Sequence, residues 1–144
     1  MATAYSDIYK RFVEKVSDYN LLEFNLDTRE DILHSYLKSS EVDFQRICKT
    51  DLSDKDEKLQ TYNQELTNTE IEILALGMLV HWYNPFIHNT DLLKNFLNTK
   101  DYTMYSNANL LMELNKSKKQ VQQDLKKLTM EYSYGNANII GLND

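Results

Sequence analysis

Hydrophobic positions along this chain recur mostly every three or four residues, the spacing that places side chains on one face of an α-helix. This spacing predicts helices over residues 4–19, 29–49, 68–83 and 107–132. A shorter apolar group allows a fifth helix over 91–98. The chain is therefore expected to consist of helices joined by polar connectors.

The predicted fold is an all-α bundle of four to five helices with a long C-terminal helix and an extended C-terminal tail. We expect one helical domain over residues 1–132 and the tail over 133–144, because 144 residues fit a single domain. The 3 glycines and 1 proline are too few for the many turns of a β-sandwich or barrel. The polar stretch over 51–64 is predicted to be a loop.

The third helix has the clearest local signal. Thr67 is predicted to cap its first turn and Glu70 to complete a capping box, while Leu66 and Ile71 form a hydrophobic staple. Its residues are apolar nearly all round, which is typical of a helix at the centre of a bundle or at a subunit contact. The helix is predicted to end before Pro85, because proline disfavours helical geometry in the residue that precedes it.

The second helix carries an apolar stripe that places Ile47 and Cys48 on its inward face. Cys48 is thus predicted to be a buried small hydrophobic residue rather than a nucleophile. A capping box over residues 27–30 precedes the helix. Ser39 and Ser40 weaken its middle and favour a bend or a break there.

The last helix carries a heptad seam, in which apolar positions step alternately by three and four residues. Its members are Ala108, Leu111, Leu114, Lys118, Val121, Leu125, Leu128 and Tyr132. A helix of this length spans roughly 39 Å at 1.5 Å per residue, which exceeds what so small a core covers. We therefore predict a subunit interface on this helix, formed by Leu111, Leu114, Val121 and Leu125.

The charge is uneven along the chain, which has a net charge of −6. Most of the acidic excess falls in residues 18–70, so binding of a DNA backbone as the main task is disfavoured. The acidic stretch is either an ordinary solvated face or a wall that does not bind a passing polyanion. Lysines along the last helix are interpreted as a solvated face.

No pattern of catalytic, cofactor-binding or metal-binding residues occurs in the sequence, so we predict a protein that is not an enzyme. The single cysteine excludes an intramolecular disulfide. The start of the chain shows no secretory signal, and the longest apolar run, over 73–80, is too short to span a bilayer. We expect a soluble, cytoplasmic protein without membrane contact.

Three runs of the sequence resemble head–tail connector proteins, also called adaptor or neck proteins, of long-tailed bacteriophages. The runs are TREDILHSYLKSSEVDFQRICKTDLS, LTNTEIEILALGMLVHWYNPFI and LKNFLNTKDYTMYSNANLLMELNK. Together they cover about residues 27–134. The resemblance lies in the succession of hydrophobic, capping and aromatic residues.

The resemblance implies a small helical protein, without cofactors, that forms a ring of typically twelve copies below the portal protein of the filled capsid. Such a ring extends the DNA channel, lets DNA pass without specific binding, and offers a docking surface to the head-closure (stopper) or tail-completion protein. The protein would be made in the host bacterial cytoplasm and reside in the neck of the virion. By the same resemblance, the portal-facing residues are Tyr132, Tyr134, Ile139, Ile140 and Leu142.

Two other functions stay open at this point. The first is a helical protein–protein interaction or regulatory module that dimerises in parallel through the heptad seam. The second, disfavoured by charge, is a DNA-binding protein. The tail is either a frayed end or a segment that becomes ordered on a partner.

Overall fold

The structure, a computed structural model, describes residues 2–19, 29–88 and 107–137. These residues are mostly helical, in agreement with the predicted fold class. The four helices described are α1 (Tyr5–Asp18), α2 (Glu30–Phe44), α3 (Asn68–His88) and α4 (Asn107–Ala137). The predicted connector over 20–27, the short helix over 91–98 and the tail from 138 onwards lie outside the described residues.

A small antiparallel sheet occupies part of the stretch that was predicted to be a loop. Its strands are β1 (Thr3–Ala4), β2 (Lys55–Asp56) and β3 (Thr61–Tyr62), in the order β1-β3-β2. Thr3 pairs with Tyr62, and Tyr62 pairs with Lys55 on its other side. The loop prediction over 51–64 holds for most of the stretch but missed these two strands, because strands of two residues are too short to show the alternating pattern that reveals longer ones.

Acidic side chains shape the β2–β3 hairpin. Asp54 accepts a hydrogen bond from the Asn63 amide side chain at 2.8 Å. Asp56 accepts bonds from the backbone N–H groups of Lys58 at 3.0 Å and Leu59 at 3.1 Å. From composition alone, these carboxylates would be interpreted as solvated surface charges. In the structure they accept hydrogen bonds and hold the turn in place.

Helix α3 lies at the centre of the fold and packs against α1, α2 and α4, which confirms the predicted central position. Each of its buried side chains contributes about 1.5–3 kcal/mol when removed from water, or less for alanine. The buried apolar residues of α3 are Ile73, Leu74, Ala75, Leu76, Met78, Leu79, Trp82 and Tyr83.

The capping box at the start of α3 is confirmed. The Thr67 N–H donates to Glu70 Oε1 at 2.9 Å, and the Glu70 N–H donates to Thr67 Oγ1 at 3.2 Å. The predicted end was wrong, because α3 continues through Pro85 to His88. Burial of Trp82 and Tyr83 fixes the helical turn before Pro85. This packing outweighs the tendency of proline to disfavour helical geometry in the residue that precedes it.

Helix α2 is continuous across its two serines, so the helix is not split there. The Ser40 hydroxyl donates to the backbone oxygen of Leu74 in α3 at 2.8 Å, instead of competing for hydrogen bonds within its own helix. Opposite Ser40, a Cβ atom added to Gly77 would lie 2.1 Å from the Ser40 Oγ. The absence of a side chain at Gly77 thus lets α2 and α3 approach closely.

The ends of α2 also differ from the prediction. The helix starts at Glu30, with Arg29 rather than residue 27 as its N-cap, and it ends at Phe44 instead of extending to residue 49. Ile47 therefore lies in a turn and is exposed, not inward. Cys48 is half-buried and follows the same turn.

We predict that Gly77→Ala lowers the free energy of unfolding by about 1–3 kcal/mol, because the new methyl group collides with the Ser40 hydroxyl. Urea unfolding measures the loss. Adding Ser40→Ala should recover part of it, whereas adding the matched control Ser39→Ala should recover nothing. Equal effects of the two serine changes would contradict the proposed contact.

Candidate functional site

Helix α4 turns its heptad seam toward the core of its own chain. Leu114 and Val121 are fully buried, and Leu125 and Leu128 are half-buried against the same core. Leu114, Val121 and Leu125 thus pack against their own chain, where the seam covers one side of α3, and the subunit interface stays a prediction. The side chain of Leu111 lies outside the described residues.

Hydrogen bonds between polar side chains attach the middle of α4 to the neighbouring elements along the seam. Lys118, the one charged member of the seam, donates from Nζ to the Asn84 Oδ1 atom of α3 at 2.6 Å. The Tyr19 hydroxyl donates to the Asp124 carboxylate, and burial together with this bond raises the pKa of Tyr19 above its usual value. The seam is therefore held on the core by polar as well as apolar contacts.

A buried carboxylate, Glu70, attaches the C-terminal part of α4 to the start of α3. Only 1% of Glu70 is exposed, and besides capping α3 it accepts hydrogen bonds from three further side chains. These come from the Tyr132 hydroxyl at 2.9 Å, the Thr50 hydroxyl at 3.0 Å and the Cys48 thiol at 3.3 Å. Glu70 thus joins the start of α3, the α2–α3 connection and the end of α4.

Tyr132 is engaged within its own chain. Its hydroxyl accepts a bond from the Lys49 N–H at 2.8 Å, and its ring meets the edge of Phe44 with a centroid distance of 5.5 Å. The resemblance implies that Tyr132 faces the portal. In the structure its ring and hydroxyl contact its own chain, and the portal contact of Tyr132 stays a prediction. The heptad pattern places it inward but does not indicate its bond to Glu70.

The charges of this cluster follow from its hydrogen bonds. Burial opposes ionisation of Glu70, but the bonds donated by the Thr67 N–H, Tyr132, Cys48 and Thr50 outweigh it and hold its pKa below the usual value. Burial, together with the bond to Glu70, raises the pKa of Cys48 to about 12. The thiol is therefore protonated at neutral pH and serves here as a hydrogen-bond donor.

The outer face of α4 leaves apolar side chains in water. Met112, Met130 and Tyr134 are exposed, and Tyr134 is the one member of the portal-facing set that the structure places outward. The side chains of Ile139, Ile140 and Leu142 lie outside the described residues. A shallow groove of about 350 Å³ on this face is lined by Gln123, Lys126, Lys127, Met130, Glu131 and Tyr134.

Two of the histidines, His34 and His81, each contact a carboxylate. His34 Nε2 lies 3.1 Å from Glu57 Oε2, and His81 Nε2 lies 2.7 Å from Asp43 Oδ2. Over residues 2–19, 29–88 and 107–137, no group of three or more His, Cys, Asp or Glu residues could hold a metal ion. No helix in the described part of the chain has the length and apolar character needed to cross a membrane.

Comparison with known proteins gives no relative: no protein-family model, no curated protein and no solved structure matches this chain. The contacts and exposed surfaces of the chain, together with the resemblance in the sequence, are thus the basis for a functional proposal.

We predict that Glu70→Gln lowers the free energy of unfolding by about 1.5–3 kcal/mol, because an amide removes acceptor positions that three side chains use. Tyr132→Phe should cost about 1 kcal/mol, and the two losses together should be smaller than their sum. The matched control Tyr134→Phe should change stability by less than about 0.5 kcal/mol. Additive losses in urea unfolding would contradict a shared hydrogen bond.

The lowered pKa of Glu70 predicts a pH dependence. Since the folded state binds this proton less tightly than the unfolded state, the ionised carboxylate stabilises the protein above its unfolded pKa of about 4.3. That stabilisation is lost as the pH falls through the folded pKa. The stability difference between the wild type and Glu70→Gln should therefore shrink as acid is added, and a constant difference down to about pH 3 would contradict it.

Proposed function

We propose that this chain is a structural virion protein, a head–tail connector adaptor of a long-tailed bacteriophage. Its copies form a ring under the portal protein, extend the DNA channel and offer a docking surface to the head-closure or tail-completion protein. The action of such a protein is assembly through surface contacts, with no bond made or broken. The support comes from the resemblance over about residues 27–134 and from the outer face of α4.

One observation carries the proposal most directly, namely the exposure of Tyr134 close to the end of α4. This side chain is 57% exposed. Tyrosine supplies a large apolar area and a hydroxyl with few rotatable bonds, which suits it to a protein interface. In this proposal, the long C-terminal helix and the extended tail after it reach the portal, with Tyr134, Ile139, Ile140 and Leu142 in contact.

The packing of the chain is compatible with assembly in a ring. Its apolar seam on α4 is already covered, so each copy has a folded core before it meets another. A ring requires two different patches on each copy, one for each neighbour. The outer faces of α1, α2 and α4 supply such surfaces.

The acidic stretch over 18–70 is our candidate for the channel wall. Exposed carboxylates in its described part include Glu30, Asp31, Asp51 and Glu65. Because carboxylates repel phosphates, a wall that carries them does not hold the DNA and lets it slide. In this proposal DNA passes through the ring without specific binding.

The alternative function, a regulatory module that dimerises in parallel through its heptads, loses its particular support. Leu114 and Val121 would have to leave the core of their own chain to form that dimer. No other observation favours it.

The proposal predicts that the chain and the portal protein encoded beside it form a ring on the portal that cryo-electron microscopy resolves. A variant that ends at Ala137, and separately Tyr134→Ser, should weaken portal binding about tenfold or more, because each removes apolar contact area. The matched control Met112→Ser removes an exposed apolar side chain from the other end of α4 and should leave binding unchanged.

Two results would contradict the proposal. One is the absence of any complex with the portal at concentrations that saturate comparable assemblies. The other is a complex in which the Met112→Ser control weakens binding as much as Tyr134→Ser does.

A further inference from the structure

The tip of the β2–β3 hairpin exposes a leucine to solvent. Leu59 is 71% exposed, the most exposed of the large hydrophobic side chains described. The Asp56 carboxylate binds the Lys58 and Leu59 N–H groups, and Gln60 follows with a φ of 53°. The backbone therefore fixes this leucine in an outward position.

The base of the hairpin is firmly anchored. Leu52 and Tyr62 are buried in the core, and β3 pairs with β1 as well as with β2. The Lys55 Nζ atom lies 2.8 Å from Oε2 of the buried Glu41 and 3.5 Å from Oε1 of Glu57. The tip thus presents one exposed apolar side chain. Among the charged side chains of the hairpin and its flanks (residues 51–64), acidic ones outnumber basic ones.

The groove on the outer face of α4 has the complementary character. Met130 and Tyr134 supply apolar surface, and Lys126 and Lys127 are exposed beside them. Neither lysine forms an ion pair with any of the described residues. Glu131 is the single acid among the residues that line the groove.

We infer that the hairpin tip of one copy binds in the α4 groove of a second copy, with Leu59 against Met130 and the acidic tip beside Lys126 and Lys127. The contact joins two different patches, and each remains exposed within its own chain. Such a contact is heterologous and continues from copy to copy until a ring closes. This inference rests on the ring proposed above and identifies one contact between neighbouring copies in that ring.

The groove and the proposed portal contact divide the end of α4 between them. Tyr134 lies at the boundary between them: it lines the groove, and in the proposed function it contacts the portal. The hairpin contact uses Met130, Lys126 and Lys127, whereas most of the portal-facing residues follow Ala137. A hairpin tip alone buries less area than the roughly 800 Å² per partner of a stable interface. Association of the free protein through this contact is therefore weak, and a covalent trap is the suitable way to detect it.

The test mixes two variants, Leu59→Cys and Met130→Cys, each also carrying Cys48→Ser, and adds a short bismaleimide cross-linker. Each thiol adds across one maleimide double bond, so no oxidant is involved. The expected result is a mixed dimer, identified by mass spectrometry, at least tenfold more abundant than the dimer of either variant alone. The matched control, Val42→Cys mixed with Met130→Cys, places a thiol at another exposed apolar position, on α2, and should give only background.

Charge should control the yield. Lys126→Glu together with Lys127→Glu in the groove variant should reduce the mixed dimer several-fold, and Glu57→Lys in the hairpin variant should restore it. Circular dichroism checks that each variant is folded. A yield no greater than that of the Val42→Cys control overturns the inference, as does a larger yield of dimers between identical variants.

The outcomes separate this inference from the proposed function. Cross-linking without portal binding would support the contact between copies and contradict the proposed virion role. Portal binding by rings that lack the cross-link would support the virion role and overturn this contact.

Discussion

The fold depends on one constraint, which is that α3 is apolar nearly all round and must be covered on every side. No single partner helix can cover it, so α1, α2 and α4 each take one side. Helix α2 packs on α3 where Gly77 faces Ser40 with no room for a side chain, and the inward seam of α4 covers another side. Because burial of apolar surface is the largest favourable contribution to folding, these arrangements follow from the composition of α3.

The carboxylate of Glu70 links this core to the C-terminal part of α4. A capping residue normally acts within its own helix, yet Glu70 also binds Tyr132 near the end of α4. The position of the exposed Tyr134, two residues later, is therefore set by a bond to the beginning of the central helix. A surface that is fixed in this way loses less conformational entropy when a partner binds.

Features set by local or periodic patterns could be predicted from the sequence, and features set by contacts between distant residues could not. The capping box at Thr67 and the central place of α3 belong to the first group. The continuation of α3 through Pro85 and the pairing of Thr3 with Tyr62 belong to the second, because tertiary packing decided both. The seam on α4 was identified correctly as an apolar stripe, but its periodicity is the same whether it packs within one chain or between two.

The described residues form their apolar core within one chain, and the exposed apolar side chains lie on its outer surface. The most direct test is the unfolding temperature of the free protein over about a hundredfold range of concentration, since association linked to folding makes this temperature depend on concentration. We predict an unchanged unfolding temperature. A temperature that rises steadily with concentration would show that association between copies stabilises the folded state, and would contradict a core whose stability depends on one chain alone.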